Sequence, residues 1–195
     1  MTFLRTIGNG ETPPYIMGRR VYLRPPRFAD FEEWARLRAE SRDFLQPWEP
    51  TWPADDLTRA AFRRRIRRYM EERRMEQSLA FFLFRHSDDV LLGGLTLSNV
   101  RRGVAQTCTL GYWMGQRYAG QGSMSAGVRA VIPYVFDVLR LRRIEAACLP
   151  ENQSSIRLLE HVGFTREGLA RQYLCIDGRW QDHVLYAFLK GDRMG

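Results

Sequence analysis

The chain has 195 residues, 45% hydrophobic and 27% charged, ordinary globular values that allow one domain with a full core and exclude two comfortable ones. No apolar run approaches the roughly 18 residues a membrane helix needs, and residues 1–20 lack the apolar core and cleavage site of a signal peptide, which predicts a cytoplasmic protein. The formal net charge of +8 rests on 30 basic residues with Lys190 the only lysine; this arginine surplus suits an acidic cofactor or a partner coated with nucleic acid, although no nucleic-acid motif accompanies it.

Residues 1–18 read as an N-terminal extension and 19–190 as the domain. The stretch 19–24 (RRVYLR) is a short strand with Val21 and Leu23 on one face. Asp30 then caps a helix carrying Phe31, Trp34 and Leu37. LQPWEPTWPADD (45–56) is a loop rich in Pro and Trp, after which Asp55 or Asp56 caps a long helix with Phe62, Ile66, Tyr69 and Met70 on its apolar face. The other face carries Arg63, Arg64, Arg67, Arg68, Arg73 and Arg74; such a face is ordinarily solvated, and docking to an acidic partner is the alternative.

Residues 79–85, 90–100 and 106–114 read as strands, the first two joined by a turn at HSDD. A helix over 123–139 buries Val128, Val131, Ile132, Val135, Phe136 and Leu139, with Pro133 set to break or kink it. Another strand covers 142–149, a short helix opens at Asn152 and ends at Gly163, and the chain closes with a long hairpin turning at Asp177-Gly178. This order describes an α+β (mixed α/β) domain with a mixed sheet. Cys108, Cys148 and Cys175 lack metal-ligand spacing and read as reduced thiols in apolar surroundings; no histidine pair suggests a metal either, and His86 and His161 read as solvent residues.

The strand ending at Met114 runs into Arg117-Tyr118-Ala119-Gly120-Gln121-Gly122, and a helix starts at Ser123. Helix N-terminal amides lack internal partners and carry positive potential, while glycines let an oxygen approach the backbone. Arg117, Ala119, Gly120, Gln121, Gly122 and Ser123 therefore form a candidate pyrophosphate cradle. It is neither a Walker loop nor a dinucleotide fingerprint.

Asn152, Ser155, Gly163 and Phe164 follow at a second strand-to-helix junction. Together the two motifs resemble those of the GCN5-related N-acetyltransferase (GNAT) family. "FLQPWEP" and "GFTREGLARQYLCIDGRWQDHVLYAF" narrow the resemblance to the branch that acetylates the N-terminal alanine of ribosomal proteins, the RimJ type. The resemblance covers about Gly18 to Leu189. It implies a central mixed, mostly antiparallel, splayed sheet flanked by helices, acetyl-CoA as co-substrate without a metal, and a protein N-terminus as acceptor. Ribosomal RNA contact through the basic surface would accompany that acceptor.

In that fold the amides around Trp113 and Met114 polarise the thioester carbonyl, and the opened sheet takes the pantetheine arm as an added strand. The position where many members carry a general-acid tyrosine holds Leu159 here, which cannot donate a proton; Ser155 on the same helix is the nearest substitute. Glu49, in "PWEP", is the preferred carboxylate base, with Trp48 and Tyr112 beside the acceptor and Asp182, next to His183, orienting it or serving a structural hydrogen bond. The alternatives are transfer to an aminoglycoside or other small amine, and a non-catalytic acyl-CoA- or ribosome-binding module.

Overall fold

The computed structural model describes residues 15–195; residues 1–14 of the expected N-terminal extension lie outside it. Eight strands form one sheet in the order β1-β2-β3-β4-β5-β6-β8-β7. They are β1 (Ile16–Met17), β2 (Val21–Arg24), β3 (Leu79–Arg85), β4 (Leu91–Arg101), β5 (Thr107–Met114), β6 (Arg143–Cys148), β7 (Thr165–Ile176) and β8 (Arg179–Leu189). Every neighbouring pair is antiparallel except β5–β6. The short β1, within the stretch assigned by sequence to the extension, pairs with β2 and buries Ile16.

Helices cover both faces. On one side lie α1 (Phe31–Glu40) and α3 (Arg59–Arg74), whose Trp34, Leu37, Phe62 and Ile66 pack against Phe82, Phe84 and Leu91. On the other, α4 (Ser123–Pro133) and α5 (Gln153–Val162) cover the larger core. β3 shows why its sequence is a continuous apolar run: Phe81 and Leu83 enter one core, Phe82 and Phe84 the other.

Several local expectations change. The cap of α3 is Thr58, whose side chain accepts the Ala61 N–H at 3.2 Å; Asp55 and Asp56 instead pair with Arg64 and Arg65 further along the helix. Met70 is exposed and off the apolar face of α3. The loop around Pro47 contains a short helix α2 (Arg42–Leu45) and a 3₁₀ turn (Gln46–Trp48). Pro133 ends the α-helical part, but the chain continues without a break into a π turn over Tyr134–Val138, with the Leu139 N–H reaching back five residues to the Tyr134 carbonyl. A wider turn accommodates the missing proline N–H. Cys108 and Cys148 are buried, but Cys175 is exposed on the outermost strand.

The feature that positions the site is the gap between β5 and β6. These parallel strands pair only over Thr107–Thr109 and Arg143–Glu145, then diverge. The splay leaves the last five residues of β5, through Met114, with β4 as their one strand partner.

Candidate active site

A cavity of about 1170 Å³ opens where β5 and β6 part, walled by the starts of α4 and α5 and by the α2 segment. Its first wall is backbone. Gly120 and Gly122 have φ of 73° and 77°, and a Cβ on either would meet no atom within 4 Å. The glycines are needed for left-handed backbone rather than for room inside the protein, and the space before them is open. Ala126 makes the first internal bond of α4, to the Gly122 carbonyl; no side chain caps the helix. The amides of Ser123, Met124 and Ser125 thus face the cavity with no partner among the described residues, a ready seat for an anion. A diphosphate fits this cradle.

Ala119, Gly120, Gln121, Gly122 and Ser123 line the cavity as the sequence places them. Arg117 does not: its guanidinium pairs with Glu40 of α1 at 3.5 Å and lies over Tyr118. Both partners are about half exposed, so this pair is a weak surface contact.

The second wall is α5. Asn152 and Ser155 both line the cavity, and the Asn152 side chain accepts the Ser155 N–H at 3.0 Å, so the asparagine caps the helix. The Ser155 hydroxyl lies beside the Tyr112 phenol. Burial pushes that phenol well above its ordinary value, an effect the hydroxyl partly offsets, so Tyr112 stays protonated at neutral pH. Leu159 is buried in the core and faces no polar chemistry. Arg157 and His161, neither selected as a site residue from the sequence, also line the cavity on α5; their signal is that they follow Ser154 at helical spacing, on one face.

The third wall combines Trp48, Glu49, Tyr112, Trp113 and Met114 with Asp43 and Phe44 of α2. The Trp113 indole lies against Gly94 of β4, where a Cβ would strike its Nε1 at 2.4 Å. Both Glu49 oxygens accept from Arg38, at 2.7 Å each, and Oε2 also accepts from Trp52 Nε1 at 2.7 Å. A carboxylate held by three donors is placed as a hydrogen-bond acceptor. It could take up a proton only by giving up its ion pair, which argues against the base role expected for it.

Asp182 lies outside this cavity. Its carboxylate accepts the Gln172 N–H at 2.8 Å, closing the bulge in β7 between Ala170 and Leu174. His183 is buried with Nδ1 at 2.9 Å from the Gln181 carbonyl. Both thus hold the hairpin together. His86 is exposed at its turn. Among the described residues no group of three or more His, Cys, Asp or Glu could hold a metal, and no helix is long and apolar enough to cross a membrane.

Comparisons with known proteins agree with one another. The family described as Acetyltransferase (GNAT) domain matches residues 20–165. The chain is 38% identical to the probable N-acetyltransferase YjcK of Bacillus subtilis over 177 residues, covering 91% of this chain and 98% of that protein. It is 36% identical to the ribosomal protein uS5-alanine N-acetyltransferase of Escherichia coli over 165 residues, covering 84% and 85% of the two chains. Among solved structures, Mycobacterium smegmatis RimJ in complex with CoA-disulfide superposes with a TM-score of 0.86 at 33% identity, covering 91% of this chain and 88% of that one.

Proposed function

The chain belongs to the GNAT family of acetyltransferases, and on that premise we propose that it moves acetyl from acetyl-CoA to the N-terminal alanine of a ribosomal protein. The observation that carries this reading is the opening between β5 and β6, which runs without interruption from the free amides of α4 past Ser155 to Glu49.

When bound, acetyl-CoA supplies an activated acyl group and a thiol leaving group. The amides at Gly120 to Ser125 hold its diphosphate, and the unpaired edge of β5 offers main-chain partners to its amide-bearing arm. At the end of β5 the Trp113 N–H turns toward β4, and the Met114 N–H, on the open edge, is directed at the carbonyl oxygen on which charge develops. Ser155 donates a proton toward the departing sulfur and is reprotonated by the proton that the attacking amine releases through solvent, while the Tyr112 phenol beside it stays protonated.

The acceptor asks little of a base. A peptide α-amine has a reference pKa of about 8, so about a tenth of it is neutral at pH 7 and its remaining proton can leave through solvent. Glu49 holds the amine by accepting from it. Transfer to a polycationic aminoglycoside is less well supported, because Arg38 neutralises the Glu49 carboxylate that such a ligand would seek. On the outer surface Arg64, Arg68 and Arg74 of α3 have acidic partners, whereas Arg63, Arg67 and Arg73 have none among the described residues. That residual charge supports contact with ribosomal RNA.

The test is an acetylation screen with acetyl-CoA against peptides beginning with alanine, the same peptides Nα-blocked, lysine-containing peptides and an aminoglycoside. Product on the free alanine peptides and none on the blocked ones is expected. Turnover of the aminoglycoside alone would remove the protein acceptor.

A further inference from the structure

Arg38 sits on the same face of α1 as Trp34 and Leu37 and is only 5% exposed. A guanidinium so deeply buried is costly unless its charge is met. The structure meets it three ways: the fork bonds both Glu49 oxygens, the Trp52 ring lies 4.0 Å from its carbon, and the Trp113 ring 5.0 Å. The loop that carries Glu49 is pinned elsewhere too, since the Glu49 carbonyl accepts the Asp177 N–H at 3.0 Å from the tip of the β7–β8 hairpin.

A carboxylate has about four acceptor positions. Three are filled here, two of them on Oε2, so the free one is on Oε1, and the Glu49 side chain keeps 20% exposure on the cavity wall. Loss of Arg38 would free two more positions and leave the carboxylate held by Trp52 alone.

We propose that Arg38 is a positioning residue of the acceptor site, one that presents Glu49 to the incoming amine as a fixed hydrogen-bond acceptor and so sets acceptor affinity rather than proton removal. The inference rests on the acetyl-transfer reading above and deepens it at its acceptor end. Lysine cannot replace the fork, because an ammonium lacks the planar pair of donors and the face that stacks on indole.

The experiment compares wild type, Arg38→Met, Arg38→Lys, Glu49→Gln and the Arg38→Met/Glu49→Gln double variant. Steady-state kinetics use whichever amine the wild-type protein acetylates in the screen, and calorimetry measures binding of that amine with CoA present. A charged hydrogen bond sets the expected scale, a rise of about 10- to 100-fold in acceptor KM and Kd for either single variant, with kcat changed by about 3-fold or less and CoA affinity unchanged. The double variant should lose no more than the worse single one, and Arg38→Lys should recover only part of the loss. A fall in kcat with acceptor KM and Kd unchanged would make Glu49 a base and overturn the proposal. Additive losses in the double variant would overturn it as well, since Arg38 would then act apart from Glu49. Should Arg38→Met fail to fold, Glu49→Gln and Arg38→Lys give the same split. A failure of the alanine reading appears in the wild-type screen, and a failure of this one only in the variants.

Discussion

The two ends of the cavity are built in opposite ways. At the α4 end, one contiguous stretch from Tyr118 to Ser125 supplies the wall, and its working groups are backbone amides held by two left-handed glycines. At the acceptor end, the working group is a side chain held by Arg38 of α1 and by Trp52 three residues on, with the Trp113 ring of β5 against Arg38 and the Asp177 main-chain N–H at a hairpin tip holding the Glu49 carbonyl. A ligand part common to many enzymes can be met by backbone, which any sequence with the right φ angles provides. An acceptor that must be told from others needs side chains, and side chains can be supplied from anywhere the fold permits.

Three substitutions break or sharpen this contrast. The largest effect is expected from Gly120→Glu, which strains a left-handed position and sets a carboxylate against the diphosphate; like charges about 4 Å apart near a surface repel by about 4 kcal/mol, or about 1000-fold in CoA affinity by calorimetry. The melting temperature should fall by only about 2–8 °C, the cost of about 1–2 kcal/mol for a side chain at a left-handed position, and the fold should persist because no atom lies within 4 Å of the new Cβ. Undiminished CoA binding in the folded variant would show that the cradle is only a turn. Next, Ser155→Ala lies where the two ends meet. It should lower kcat by about 100-fold in single-turnover assays while leaving both substrate affinities in place, the lower range for loss of a general acid. Full activity would leave the thiol to depart unaided. The smallest effect belongs to Trp52→Phe, which removes the Nε1–H donor to Glu49 but keeps an aromatic ring over Arg38. A rise of about 2- to 10-fold in acceptor KM is expected, with CoA affinity untouched. A change in CoA affinity would mean that the two ends are coupled.

The same contrast explains what could be read from the chain alone. The strands and the cradle loop follow local patterns, apolar runs with turns between them and glycines between a strand and a helix, whereas the splay comes only with the family resemblance. Thr58 escaped because Asp55 and Asp56 carry equally good capping chemistry, and only the fold shows both bound to arginines of the helix instead. Pro133 is ambiguous by sequence because a π turn is written in packing, not in residue type. Glu49 stands out in its loop as a carboxylate, but nothing local announces its three donors, which favour a hydrogen-bond acceptor over a base. Arg38 did leave a trace. It stands at i+4 from Trp34 on a buried face, and an arginine in that register requires a partner of opposite charge.

The link from Asp177 to the Glu49 carbonyl ties the front quarter of the chain to a hairpin close to its end. During translation, therefore, the cofactor cradle can be synthesised in full while the acceptor wall still lacks one of its anchors. A truncation ahead of the hairpin tip would retain every residue of the cradle but lose both that anchor and β8, the strand between β6 and β7, so the last stretch synthesised completes the acceptor wall and the sheet together.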